Sequence, residues 1–236
     1  AIEDSAIASD FRPDEVAVTW RAGESEPAPA AATRVDAGEA AQQQGAEATV
    51  SIEGDRVVKR RVPRSYRHPA LDERLRRERT RVEARLTSEA RRHGVPTPLV
   101  RDVDTAESTI AFQYVGERDL DAGLTVEGAR AVGRHLAAIH DAGVVHGDPT
   151  TRNVRVGSDE EGADPVFLID FGLGYHTGHE EDHAMDLHVF AQSLAGTADD
   201  ADRLQAAAED AYRERSERGD AVLDRLRAIE GRGRYQ

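Results

Sequence analysis

The chain of 236 residues has no cysteine, one methionine, one tryptophan and a single lysine. Without cysteine there is no disulfide framework, no thiolate metal site and no thiol nucleophile. No run approaches the roughly 20 apolar residues that a membrane helix requires. The acidic start, Ala1-Ile2-Glu3-Asp4-Ser5, has no signal-peptide pattern and no initiator methionine. A cut or processed end is therefore expected, in a protein of the cytoplasm with no membrane partner. Apolar residues at 39% and charged residues at 32% leave enough material for one or two domains with a modest core.

Basic residues are distributed unusually. The net charge is -14, and 30 of the 31 basic residues are arginine, the exception being Lys59. An acidic, lysine-poor, alanine-rich chain with 5% aromatics suits concentrated salt, where screening relieves self-repulsion. Residues 59–92 run against the overall sign. Lys59 and 12 arginines face five acidic residues there, a local excess of +8. A solvated helix with i,i+4 pairs accounts for part of that excess, and contacts to phosphate or RNA would account for the rest.

Two stretches carry chemistry. His146-Gly147-Asp148-Pro149-Thr150-Thr151-Arg152-Asn153 reads H-G-D-x-x-x-x-N, and Leu168-Ile169-Asp170-Phe171-Gly172 ends an apolar run in D-F-G. This order is that of a kinase catalytic loop and its metal ligands. Asp148 can accept a proton from a hydroxyl, while Asn153 and Asp170 can hold Mg2+ on the phosphates of ATP. Lys59, in a V-V-K strand, is placed to pair with the α- and β-phosphates and with a Glu of the next helix. Glu83 is the first choice for that Glu and Glu78 the alternative. Gly45-Ala46-Glu47-Ala48 occupies the place of a glycine-rich phosphate loop without its G-x-G-x-x-G pattern. Gln113 and Val115 join the same cofactor-binding set. The loop holding His176, His179, Glu180, Glu181, Asp182 and His183 lacks the spacing of a helical zinc site and reads as solvated. Asp186 is expected to anchor the catalytic loop through backbone hydrogen bonds.

The elements follow from periodicity and breakers. Residues 15–20 alternate like a short strand, and residues 22–42, with Pro27, Pro29 and an alanine run, read as a linker. Strands are expected at 48–52 and 56–62, around Glu53-Gly54-Asp55, then a helix from Ala70 to His93. Strands at 100–103 and 108–115 precede a helix capped by Thr125 and running to His140. A hairpin pairs 154–156 with 166–169. Helices follow at 180–195, 199–216 and 219–229, and Gly231 opens a flexible tail. The fold class is α+β: a two-lobed, kinase-like arrangement with a small sheet lobe carrying one long helix and a reduced helical lobe.

Several motifs together resemble the small atypical Ser/Thr kinase of the KEOPS complex, the PRPK family, across residues 43–236. They are Val57-Val58-Lys59-Arg60-Arg61, Tyr66-Arg67-His68-Pro69-Ala70-Leu71-Asp72, Arg79-Thr80-Arg81-Val82-Glu83-Ala84, Gly94-Val95-Pro96-Thr97-Pro98, the two catalytic stretches, Glu181-Asp182-His183-Ala184-Met185-Asp186-Leu187 and the Arg-Gly-Arg tail. Pro149 and Arg152 depart from the family, which usually has Leu and Ser there. Residues 2–20, ending in Phe11-Arg12-Pro13-Asp14-Glu15-Val16-Ala17-Val18-Thr19-Trp20, resemble the C-terminal end of the TsaD-like synthase subunit of the same complex. The resemblance implies domains at 1–21 (synthase remnant), 22–42 (linker), 43–115 (sheet lobe) and 116–236 (helical lobe and tail), in a synthase–kinase fusion cut upstream. It further implies ATP and Mg2+ dependence, autophosphorylation or ATP hydrolysis, and support of threonylcarbamoyladenosine formation on tRNA. Implied partners are the synthase, a small activator on the sheet lobe, the other KEOPS subunits and tRNA.

Two other readings remain open. Aminoglycoside- and choline-kinase-like phosphotransferases share H-G-D with Asn five residues on, but usually add a large helical substrate domain, and only about 50 residues follow Asp186. A non-catalytic assembly subunit would be expected to have lost Lys59, Asp148, Asn153 or Asp170, and all four are present.

Overall fold

The computed structural model describes residues 42–44, 48–158 and 164–233, all within the unit Glu39–Gln236. The expected strand at 15–20, the synthase-like remnant, nearly all of the linker and the tip of the phosphate-loop stretch (Gly45, Ala46, Glu47) lie outside the described residues.

The first half is a five-stranded antiparallel sheet. Its strands are β1 (Gln42–Gln44), β2 (Ala48–Glu53), β3 (Arg56–Arg61), β4 (Val100–Asp104) and β5 (Thr109–Gln113), in the order β1-β2-β3-β5-β4. The β2–β3 turn passes through Gly54 at φ +60, a left-handed conformation that costs glycine nothing. This register places Lys59 opposite Val50 on one side and Ile110 on the other. The first strand starts at Gln42, one residue inside the span read as linker.

Between β3 and β4 runs the long helix α1 (Pro69–Arg92). Pro69 stands at its first position, where a missing N–H is harmless. Besides Asp72 near its start, its buried positions, Thr80, Glu83, Ala84, Leu86, Thr87 and Ala90, recur at three- and four-residue spacing, as one core-facing stripe requires. Glu78 lies off that stripe and is exposed.

The second half is mainly helical: α2 (Val126–Asp141), α3 (Glu180–Ala195), α4 (Ala201–Arg215) and α5 (Gly219–Gly233). Thr125 caps α2 by accepting the Gly128 N–H at 3.0 Å. Gly133 lets α4 approach α2 closely, since a Cβ there would stand 2.1 Å from the Ala208 carbonyl. Leu136, Ile139, Leu168, Phe171, Phe190, Leu194, Leu204 and Tyr212 are fully or almost fully buried in this core, which also takes in Leu86 of α1. The last helix continues through Gly231 to Gly233, the first part of the span expected as a tail, whose remainder at 234–236 lies outside the described residues. Arg232 explains the extension: its guanidinium donates to the Ala228 carbonyl at 3.2 Å and to Glu181 at 3.3 Å.

Three short strand pairs frame the loops. β6 (Arg118–Asp119) pairs with β8 (Val154–Val156), which pairs with β9 (Val166–Leu168), while β7 (Val144–Val145) pairs with β10 (Tyr175–His176). The expected hairpin is thus the β8–β9 pair, extended by β6.

Candidate active site

The catalytic-loop stretch leaves β7, crosses a 3-10 turn at Thr151–Asn153 and enters β8. Asn153 folds back on it. Its Nδ2 donates to the Asp148 carbonyl at 2.8 Å and to Asp148 Oδ2 at 2.9 Å. The amide nitrogen is thereby committed, and Asn153 Oδ1 is left as an acceptor among the described residues. The other partners of this loop are internal too. His146 Nδ1 accepts the Asp148 N–H at 3.3 Å, so its Nε2–H donates to the Ile169 carbonyl at 3.0 Å. Burial pushes the His146 imidazole below its usual pKa, which keeps it neutral in this role.

Asp186, on α3, holds the loop from below. Its Oδ2 accepts the His146 N–H at 2.7 Å and its Oδ1 the Gly147 N–H at 2.9 Å. Gly147, at φ +85, must be glycine here: a Cβ would lie 2.4 Å from the Leu173 carbonyl. Oδ2 of Asp186 also takes His140 Nε2 at 3.0 Å, and His140 Nδ1 meets the Tyr212 hydroxyl at 2.9 Å. A carboxylate only accepts, so His140 carries its proton on Nε2 and accepts from Tyr212. Burial raises the Asp186 pKa, but these donors outweigh it and the carboxyl stays below its usual range. Sequence reasoning expected Asp186 and missed His140 and Tyr212, whose only signal was a polar group on an otherwise apolar helix face.

Opposite the loop, Lys59 Nζ lies 2.8 Å from Glu83 Oε1 and 2.7 Å from Asp170 Oδ1. Burial acts to lower the Lys59 pKa, and the two carboxylates overcome it, so the ammonium is held charged. For Asp170, burial pushes upward, but the charge and hydrogen bond of Lys59 dominate and hold the carboxyl low. Asp170 has φ +64, an uncommon conformation for a residue with a side chain, of the kind that concentrates at functional sites. Its Oδ1 also accepts the Gly172 N–H at 3.2 Å. Glu83 is 1% exposed and pairs through Oε2 with Arg61, itself 5% exposed. Burial is the largest influence on Asp148 as it is on Asp170, but with no Lys59 contact to outweigh it the Asp148 pKa is raised.

The structure therefore brings Lys59, Glu83 and Asp170 into contact, and Asp148 into contact with Asn153. Ala48 is buried on β2, across the sheet from Arg61. Gln113 ends β5 and donates its N–H to the Leu99 carbonyl at 2.8 Å. The Val115 carbonyl accepts Arg155 Nε at 3.3 Å. Among the described residues, neither is in hydrogen-bond contact with the other site residues. No group of three or more His, Asp or Glu fit to hold a metal occurs among the described residues. The His176–His183 stretch, expected as a solvated loop, instead opens α3 at Glu180 with His183 buried, and His176 meets Glu89 at 3.1 Å.

Comparison with known proteins adds the lineage. Over 236 residues, all of this chain and 42% of the relative, the sequence is 67% identical to a protein of Haloarcula marismortui named "Probable bifunctional tRNA threonylcarbamoyladenosine biosynthesis protein". The similarity takes in all of this chain but only part of that protein. A protein of the same name from Methanosarcina mazei is 38% identical over 245 aligned positions, all of this chain and 43% of that protein. The chain thus spans less than half the length of these relatives. This agrees with the resemblance to the KEOPS-type kinase part. No family model matches the sequence. Among solved structures, the Rio2 kinase–ADP/Mg2+-phosphoaspartate complex from Chaetomium thermophilum matches with TM-score 0.53 at 18% identity, over 83% of this chain and 71% of that one. WbdD with a kinase inhibitor matches at TM-score 0.51 and 20% identity, over 72% of this chain and 44% of that one. These matches show the fold, which is kinase-like with a small sheet lobe and a helical lobe.

Proposed function

We propose that this chain is the phosphoryl-transfer part of a bifunctional protein supporting threonylcarbamoyladenosine formation on tRNA, acting as an ATP- and Mg2+-dependent atypical Ser/Thr kinase or ATPase in a KEOPS assembly. The observation that carries the reading is the bridging of Lys59 between Glu83 and Asp170, opposite an Asp148 tied to Asn153. In this reading Lys59 binds the α- and β-phosphates, and Glu83 holds Lys59 in place.

The donor set suits magnesium. Asp170 offers Oδ2 and Asn153 offers Oδ1, both hard oxygens. Mg2+ is usually held by one or two carboxylates plus substrate phosphates rather than by an all-protein cage. When bound, it would neutralise charge developing on the transferred group. Asp148, with its raised pKa, accepts the proton of the attacking hydroxyl or water. Asp186 keeps that carboxylate positioned through His146 and Gly147. Ala48, with the adjoining Gly45, Ala46 and Glu47, would border the phosphates, and Gln113 and Val115 the rest of the nucleotide. Rio2, whose fold this chain shares, is recorded with ADP and Mg2+, which supports the same cofactors here.

The names of the relatives support a synthase part upstream of this chain and tRNA as a partner. A small activator on the sheet lobe and the other KEOPS subunits complete the assembly, in the cytoplasm. A tether of about 21 residues would keep the two halves at millimolar effective concentration.

The test is Mg2+-dependent ATP turnover of the purified chain, with and without synthase, activator and tRNA, following where the phosphate goes. Asp148→Asn and Asp170→Ala are expected to abolish turnover with folding intact. Full turnover in either variant overturns the assignment.

A further inference from the structure

Residues 114–117 lead from β5, the last strand of the five-stranded sheet, to β6 beside the helical lobe. This connection is held by a side chain that phosphoryl transfer does not use. β8 reads Val154-Arg155-Val156, and both valines are buried in the helical-lobe core. The two-residue period of a strand therefore turns Arg155 to the other face. There its guanidinium meets the connection. Nε donates to the Val115 carbonyl at 3.3 Å, and Nη2 donates to the Gly116 carbonyl at 3.1 Å and the Tyr114 hydroxyl at 3.2 Å. Nη1 pairs with Asp119 of β6, and the guanidinium carbon stands 5.7 Å from the centre of the Tyr114 ring. A planar fork with five N–H donors can serve so many acceptors at fixed angles, whereas a lysine ammonium cannot.

Other contacts press the connection against the same strand. The Glu117 N–H donates to the Val156 carbonyl at 2.8 Å, and a Cβ on Gly116 would lie 2.8 Å from Arg155 Cβ. Tyr114 reaches both halves: its N–H donates to the Asp55 carbonyl at 2.7 Å in the β2–β3 turn, while its hydroxyl accepts from Arg155. β8 is itself paired on both edges, with β6 and with β9, so its own place does not depend on Arg155. What the guanidinium fixes is the backbone of three consecutive residues between the lobes.

We propose that Arg155 is a positioning residue for the nucleotide: it holds residues 114–116 in the shape that borders the base end, and so governs how tightly nucleotide binds rather than how fast the phosphoryl group moves. This rests on the kinase reading above, in which Gln113 and Val115 border the nucleotide away from its phosphates. A connection ordered beforehand spares the bound nucleotide the cost of ordering it. Lys59, Asp148, Asn153 and Asp170 hold one another by contacts that do not involve Arg155, so the phosphate end keeps its geometry without it.

The test is Arg155→Met in the whole chain, which keeps the length of the side chain and removes every donor. Binding of Mg2+–ADP is measured by calorimetry, and KM and kcat for ATP under the conditions above that support turnover. The variant is expected to weaken ADP binding and raise KM by about 10-fold while lowering kcat by less than about 2-fold, the pattern of binding lost equally from ground and transition states. Arg134→Met, which removes an exposed arginine paired with Glu127, is the control and should leave ADP affinity unchanged. If Arg155→Met unfolds, Tyr114→Phe and Asp119→Asn each remove one acceptor and should each weaken ADP binding about 3-fold. A wild-type chain that binds no Mg2+–ADP fails the kinase reading and takes this proposal with it. A wild-type chain that binds, with affinity unchanged in the Arg155 variant or in both substitutes, fails this proposal alone. A loss confined to kcat, or an equal loss of affinity in the control, overturns it as well.

Discussion

His146 donates its backbone N–H to Oδ2 of Asp186 across 2.7 Å, from a residue 40 positions earlier in the chain. With the Gly147 bond, one buried carboxylate fixes the backbone on the N-terminal side of Asp148. Asp186→Asn preserves shape but replaces one acceptor oxygen by a donor facing an N–H. It is expected to lower ATP turnover about 10- to 100-fold, in line with other supporting-residue changes, and to cost about 2 kcal/mol as charged hydrogen bonds are lost. Turnover assays and urea unfolding check both, and an unchanged kcat would remove Asp186 from the positioning role.

Glu83→Gln leaves Arg61 buried without its carboxylate. Breaking a buried pair from one side costs about 3 kcal/mol. Adding Arg61→Leu should recover most of that stability while turnover stays low, because Lys59 has still lost an anchor. A double-mutant cycle in unfolding free energy measures the coupling.

Gly133→Ala is expected to destabilise, although alanine favours helices by about 1 kcal/mol over glycine. A Cβ placed 2.1 Å from the Ala208 carbonyl must push α2 and α4 apart, at about 2–3 kcal/mol of overpacking. The melting temperature should fall by about 4–8 °C. A rise would mean that the two helices separate freely.

His183 stacks on His140 at 4.4 Å and 7°, and its Nε2 has no partner among the described residues. Burial, followed by the neighbouring His140, lowers its pKa to about 4. The unfolded chain takes up the proton near pH 6.5, so the stabilisation is full above that pH and is lost as pH falls toward about 4. Burial lowers His135 to about 4 as well. Unfolding free energy should therefore drop by about 2 kcal/mol or more between pH 7 and pH 5. His183→Phe, which keeps the ring and removes the proton, should reduce that drop by roughly half. Identical pH profiles would exclude His183 as a source.

High salt should stabilise. With a net charge of -14, self-repulsion is screened as ionic strength rises toward molar. The unfolding midpoint is expected to climb steadily with KCl, and a flat response in dilute buffer would argue against adaptation to salt.

Much of this architecture was legible because its signals are local. Gly54 in its acidic turn marks the β2–β3 hairpin, and the three- and four-residue spacing of Thr80, Glu83, Thr87 and Ala90 turns α1 so that Glu83, rather than Glu78, reaches Lys59. What stayed hidden depends on partners far away in sequence. The two-residue strands β6, β7 and β10 are too short to show any alternation, the Gly133–Ala208 approach needs both helices in place, and the His140–Tyr212 link joins residues 72 apart. Gly231 looked like a helix end because the Arg232–Glu181 contact that holds the last turn is likewise non-local.

The pairing of Tyr175 with Val145 and His176 with Val144, together with the Thr177 N–H bonded to the Gly143 carbonyl at 2.9 Å, has a consequence for control. The stretch after Asp170 is stitched within a few residues to the strand that leads into Asp148, so it has little slack to swing as a gate. The site is also joined to α1, whose Glu83 touches Lys59 on one side and Arg61 on the other.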